Sequence, residues 1–269
     1  MEQHRTVEID GRTVHYRDEG RSNNKTLVLL HGFMQSLEVW SSYVLSYMND
    51  MRIITIDLPG HGLTDNFCDV HTMDFMAKIV KGVLEHAGVD QCVMVGHSMG
   101  GYVTLAFAEK HPYTLRGMGL INAHAMADDA EHRVFREKVC AQVSDNRASF
   151  IVDFVPNLFH PDRRGALYQD IKDLKDQCLE TTTESIIAAQ RGMKERPSRM
   201  QVLADLEVPV LMIYGKEDPR IPLEIAVTQA MFPRHAEMLL LDKVGHMSFM
   251  EEREYVKPRL KNFVDTCYY

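Results

Sequence analysis

The sequence predicts an α/β fold: a mostly parallel sheet with helices on both faces and a helical segment inserted between two of its strands. Three observations carry this. Short all-apolar runs, among them "TLVLL" (26–30), "CVMVG" (92–96) and "VPVLMIYG" (208–215), recur between stretches with helical spacing. A run apolar at every position suits a strand buried on both faces, as in a parallel sheet sandwiched by helices. The chain also opens on "TVEID" and "RTVHYRD", which alternate around Asp10-Gly11, a short-turn pair, and predict an antiparallel hairpin at one edge. Finally, residues 124–205 break the rhythm with charged, helix-rich sequence that lacks a convincing strand.

The elements follow in order. After the hairpin come the strand at 26–30, a helix near 37–48 and the strand "RIITID" at 52–57. Residues 72–87 predict a helix because Phe75, Met76, Ile79, Val80, Val83 and Leu84 recur at helical spacing. The strand at 92–96 leads into a helix from Met99 to Lys110 and then the strand "RGMGLIN" (116–122). The insertion offers four helices, near 128–144, 147–155, 165–180 and 183–195. "VPVLMIYG", "AEMLLLD" (236–242) and a helix at 250–264 close the chain. The core is therefore expected to span 1–123 and 206–269. Residues 124–205 are expected to form a lid over the carboxyl ends of the strands, where open parallel sheets bind ligands.

Composition narrows the function class. The 269 residues are 45% hydrophobic and 25% charged, which suits one large globular domain with an insertion. A net charge of −8 argues against a nucleic-acid partner, because phosphate binding wants a basic face. The apolar runs are strand-sized, so no membrane span is expected, and the polar start "MEQHRTVEIDGRTVHY" carries no secretory signal. Five scattered cysteines without CxxC spacing point to a reduced, cytoplasmic setting. The histidines show no ligand spacing, so no metal or other cofactor is expected. The expected partner is a small-molecule substrate.

The chemistry centres on Gly96-His97-Ser98-Met99-Gly100, a G-x-S-x-G pattern between a predicted strand and a predicted helix. A sharp turn there forces Ser98 into a strained backbone, and the flanking glycines make room for it. The helix that follows aims its free amides and positive dipole end at the serine oxygen. A serine hydroxyl becomes a nucleophile only when a base takes its proton, and a third group must orient that base. "YGKEDPRIP" places Asp218 just past a strand, and "LLLDKVGHMSF" places His246 in the loop after the last strand. Glu217, Asp242 and Asp57 are rival acids; Asn122, which ends another strand, cannot supply a carboxylate. The backbone amides of Phe33, after His31-Gly32, and of Met99 are the expected oxyanion donors. Met34, His124 and Met247 lie close enough in sequence to contact substrate. His97 is expected to pack beneath the turn and His31 to shape the oxyanion loop.

With these residues in hand, the chain resembles the α/β-hydrolase superfamily, in its branch of small esterase-like serine hydrolases with a helical lid. "LLHGF", "IDLPGHGLT" (56–64), "VGHSMGG" (95–101), "VPVLMIYGKED" (208–218) and "VGHMSFMEE" (244–252) fall in the family's order and spacing. The resemblance implies Ser98 as nucleophile, His246 as base, Asp218 as its acid and Phe33 and Met99 as oxyanion donors. Dehalogenases and epoxide hydrolases of this fold use an aspartate where Ser98 stands, which separates them from this chain. The implied reaction is hydrolysis of carboxylic esters through an acyl-enzyme. Carbon–carbon hydrolysis of a diketone, perhydrolysis, lactone or amide cleavage, acyl transfer and ligand sensing by a retained hydrolase pocket are the alternatives on the same three residues.

Overall fold

The computed structural model describes residues 4–269; residues 1–3, the start of the predicted core and of its polar N-terminus, lie outside the described residues. Eight strands form one sheet: β1 (His4–Ile9), β2 (Arg12–Glu19), β3 (Thr26–Leu30), β4 (Arg52–Ile56), β5 (Cys92–His97), β6 (Leu115–Ile121), β7 (Val210–Gly215) and β8 (Ala236–Leu241). Their order across the sheet is β1-β2-β4-β3-β5-β6-β7-β8. The β1/β2 and β2/β4 pairs are antiparallel and every later pair is parallel. Thus the hairpin sits at the edge where the sequence predicts it.

Side-chain alternation along each strand divides the core in two. Val28 and Leu30 of β3 enter one cluster with Met94, Met118, Leu120 and Met212. Leu27 and Leu29 enter the opposite one with Val93, Val95, Leu211 and Ile213. The first face is covered by α2 (Met73–His86) and α3 (Met99–Lys110); the second receives α1 (Ser41–Tyr47) and the C-terminal helix. The helix predicted at 37–48 opens as a tight 3-10 turn at Leu37–Trp40 before α1 begins. At its start α2 is capped by Thr72, whose hydroxyl accepts the Phe75 N–H.

Between β6 and β7 run α4 (Ala130–Phe154), α5 (Tyr168–Glu180), α6 (Thr183–Lys194) and α7 (Met200–Asp205). The two helices predicted at 128–144 and 147–155 form one element broken at Asn146, whose φ of −150° and ψ of 85° leave the helical region. The Asn146 side chain then accepts the Ser149 N–H and caps the second half. After β7 come α8 (Leu223–Gln229), α9 (Ser248–Glu251) and α10 (Arg253–Cys267). α7 and α8 were not expected, because six or seven residues are too few to show a helical period. No helix among the described residues is long and apolar enough to cross a membrane.

Chain order makes β3 and β5 neighbours, with β4 on one side and β6 on the other. This is the point where successive crossovers leave in opposite directions, and the loops there open a crevice at the carboxyl ends of the strands. The Phe33 loop follows β3, and Ser98 follows β5.

Candidate active site

The backbone at Ser98 has φ 50° and ψ −116°, a conformation that side-chain-bearing residues rarely hold. Two glycines permit it. A Cβ on Gly96 would lie 2.2 Å from the Gly100 carbonyl oxygen, and one on Gly100 would lie 2.5 Å from the carbonyl oxygens of Leu30 and His31. The turn is pinned from below by the Ser98 N–H, which donates to the Ile121 carbonyl at 2.9 Å.

Ser98 Oγ lies 2.9 Å from His246 Nε2, and His246 Nδ1 lies 2.9 and 2.8 Å from the two Asp218 oxygens. A carboxylate only accepts, so Nδ1 carries the proton and Nε2 presents its lone pair to the serine O–H. Burial opposes the charge on Asp218, yet its carboxyl is held below the ordinary value. The causes are His246, the Arg220 N–H at 2.8 Å and the Asn122 side-chain amide at 2.8 Å. The rival acids are occupied elsewhere. Glu217 accepts from the Val244 N–H, Asp242 pairs with Lys216, and Asp57 accepts from Leu37, Leu63 and His15.

The Phe33 and Met99 amides stand at the two turns that border Ser98, and neither N–H has a protein acceptor among the described residues. His31 shapes the first of these turns. Its Nε2 accepts the Leu58 N–H at 2.9 Å, so its Nδ1–H donates to the Gly32 carbonyl at 2.8 Å. Gln35 accepts the Gly32 N–H at 2.8 Å and completes the loop. His97 lies beneath the turn with Nε2 2.9 Å from the His246 carbonyl, and burial lowers it to about 3, so it is neutral.

Two further residues hold the acid and the base loop. Asn122, fully buried with φ 47°, donates to Asp218 and to the Gly245 carbonyl and accepts from Ser248. Glu251 accepts the N–H groups of Gly245, Met247 and His160, which brackets His246 on both sides. Burial nevertheless raises the Glu251 carboxyl above its ordinary value. The only sequence signal for Asn122 is its place at the end of β6, beside β7. For Glu251 it is an acid at the end of the mostly apolar "MSFME".

A cleft of about 310 Å³ opens above Ser98 and His246. From below, Phe33, Tyr102 and His124 line it; from the β6–β7 insertion come Phe135, Arg136, Phe154 and Gln190, and from the loop after β7 comes Arg220. His124, a substrate-contact candidate, lines the cleft. Burial and the nearby Arg196 lower it to about 3, which removes it as a proton carrier near neutral pH. The other two substrate-contact expectations are corrected. Met34, at φ 61°, packs into the core with Trp40, and Met247 is fully buried with its sulfur 3.5 Å from the Gln35 amide nitrogen. Neither lines the cleft. Among the described residues no cluster of histidine, cysteine or carboxylate side chains could hold a metal ion.

A family profile described as the alpha/beta hydrolase fold matches residues 25–253. The chain belongs to the α/β-hydrolase fold family. Within it, the structure is similar to that of a thermophilic esterase from Thermogutta terrifontis, at 26% identity and a TM-score of 0.92, covering 99% of this chain and 100% of that one. The sequence is 29% identical to a dihydrolipoyllysine-residue acetyltransferase component of the acetoin cleaving system of Pseudomonas putida, over 96% of this chain and 68% of that relative. It is 24% identical to a 2-hydroxy-6-oxononadienedioate/2-hydroxy-6-oxononatrienedioate hydrolase of Paraburkholderia phymatum, over 93% of this chain and 90% of that relative.

Proposed function

We propose that the protein is a serine hydrolase that cleaves carboxylic esters of small substrates through an acyl-enzyme. The observation that carries this is the continuous chain of hydrogen bonds from Ser98 Oγ through His246 to Asp218, at 2.9 and 2.8 Å. Ser98 attacks the acyl carbon while His246 Nε2 takes its proton, and the Asp218 carboxylate stabilises the imidazolium that forms. Charge develops on the former carbonyl oxygen, where the Phe33 and Met99 N–H groups stand ready to donate. One such donor is worth about 10²–10³ in rate. His246 returns its proton to the leaving alcohol, and a water that it then activates releases the acid.

The helices between β6 and β7 act as a lid in this reading, with residues 124–205 as the lid segment. Its support is that Glu131, Phe135, Arg136, Phe154, Gln190 and Met193 roof the cleft. The similarity to the Thermogutta esterase structure supports an ester as the scissile group. A panel of p-nitrophenyl esters from acetate to octanoate, run on wild type and Ser98→Ala, tests the reading. Turnover that falls by at least 10³ in the variant supports it. Equal turnover by the two proteins rules Ser98 out as the nucleophile.

A further inference from the structure

Arg220 is the one cleft-lining cation whose guanidinium makes no salt bridge among the described residues; the Asp218 carboxylate acts on it only through space. Arg220 stands two residues after Asp218, in "DPRIP". Its guanidinium is 4.7 Å from the centre of the Phe154 ring and 5.2 Å from that of Phe135, so aromatic faces fix its direction. Phe154 in turn meets Phe33 edge-on at 6.2 Å, so two ring contacts join Arg220 to the loop that carries an oxyanion donor. The neighbouring acids are committed. Asp128 is shared by Arg136 and Arg196, and Asp218 is held by His246, Asn122 and two backbone amides. Glu131 stands at the exposed rim without an ion pair to Arg220.

The Arg220 guanidinium donates no hydrogen bond to protein among the described residues, and it faces the cleft. Burial also lowers its affinity for its proton. A guanidinium that is partly stripped of water, held in place and left without a salt bridge or hydrogen-bond acceptor is the ordinary protein arrangement for a planar anion. A single free guanidinium matches a monoanion better than a phosphate dianion.

We propose that Arg220 is a binding site for a carboxylate on the substrate, so that the preferred ester carries a free carboxylate at the end of a short apolar chain remote from the scissile bond. This rests on the ester-hydrolase reading and names its substrate class. The chain would run past Phe33 and Phe154 while the carboxylate pairs with Arg220.

Two measurements separate this inference from the reading beneath it. The first is binding by titration calorimetry on Ser98→Ala, which turns nothing over. Monomethyl adipate is expected to bind at least tenfold tighter than dimethyl adipate, and Arg220→Met added to Ser98→Ala is expected to abolish that difference. Arg220→Lys keeps the charge without the fork and should recover part of it. The second is kcat/KM for mono-p-nitrophenyl adipate against p-nitrophenyl hexanoate on otherwise wild-type protein. Arg220→Met should cost the anionic ester about tenfold or more and leave the neutral one within about threefold. Equal binding of the two adipate esters overturns the carboxylate site, as does an equal loss on both substrates in Arg220→Met. Binding of inorganic phosphate that depends on Arg220, with none of the monoester, overturns the choice of anion. If the adipate difference holds but neither p-nitrophenyl ester is turned over, the site stands and the ester-hydrolase reading falls.

Discussion

The loops at the carboxyl ends of the strands and the helices between β6 and β7 meet across one cleft, yet they are built by different physics. Strands β3, β5 and β7 are buried at every position, and the loops that follow them have their polar groups bonded in fixed directions. In contrast, α4 buries only Val139, Val143 and Ile151 of its 25 residues and is broken at Asn146. The loop side is thus packed throughout while α4 is mostly exposed, although α6 beside it buries seven of its twelve residues. The packed loops, the rigid side, carry Ser98, Asp218 and His246 together with Phe33 and Arg220, and α4 of the insertion, the looser side, adds Phe135, Arg136 and Phe154 to the cleft. The division is not complete: the His246 N–H donates to the Leu158 carbonyl at 2.7 Å, so the insertion also steadies the base loop.

The comparison predicts large effects from small changes on the rigid side. Asp218→Asn keeps the shape but allows the wrong tautomer of His246, and kcat should fall by about 10³–10⁴ with the fold retained by circular dichroism. A loss of less than tenfold would mean that another group orients His246. Asn122→Ala removes a donor to Asp218 and to Gly245, and kcat should fall roughly ten- to hundredfold with KM little changed. Asn122→Asp places a second carboxylate beside Asp218, which raises the pKa of the pair and should move the acid limb of the kcat profile to higher pH. If that limb stays put, Asn122 acts on packing alone.

Acid tests the rigid side as a whole. His61 and His97 are buried, and burial lowers both to about 3 from an ordinary 6.5. The unfolded chain binds those protons at about 6.5 and the folded one does not. Stability is thus fully present above that value and declines as pH drops through the window toward 3. Each group contributes on the order of 1.4 kcal/mol per pH unit within the window. Thermal melts should show Tm constant from pH 8 to 7 and declining from 6.5 to 5, whereas a flat Tm over that lower range would mean these histidines protonate in the folded state. The smallest effect belongs to the looser side. Phe135→Ala on α4 should shift the preferred acyl length in the ester panel while the acetate rate stays within about threefold; a large loss on acetate would erase the contrast between the two regions.

Much of this was legible in the chain because burial on both faces writes an unbroken apolar run. The strands at 26–30, 92–96 and 208–215 lie within two residues of their observed ends. Ser98 directly follows one such run, Asp218 lies three residues past another, and His246 lies in the loop after the partly buried β8, so all three loops fall at one end of the sheet. Met34 and Met247 misled because nearness in sequence says nothing about direction: a positive φ turns Met34 toward Trp40, and Met247 faces Gln35. Asn122, Glu251 and Arg220 could not be read alone. Their roles come from partners between 2 and 126 residues away, which only the folded chain brings together.

The central claim is that Ser98 becomes acylated. Intact-protein mass spectrometry after rapid mixing with p-nitrophenyl butyrate, followed by peptide mapping, measures this directly. The account predicts one butyryl group per chain, on the peptide that contains Ser98, appearing with a burst of p-nitrophenol and absent from Ser98→Ala. Turnover of the ester with no acyl adduct in wild type, or the same adduct on Ser98→Ala, would contradict it.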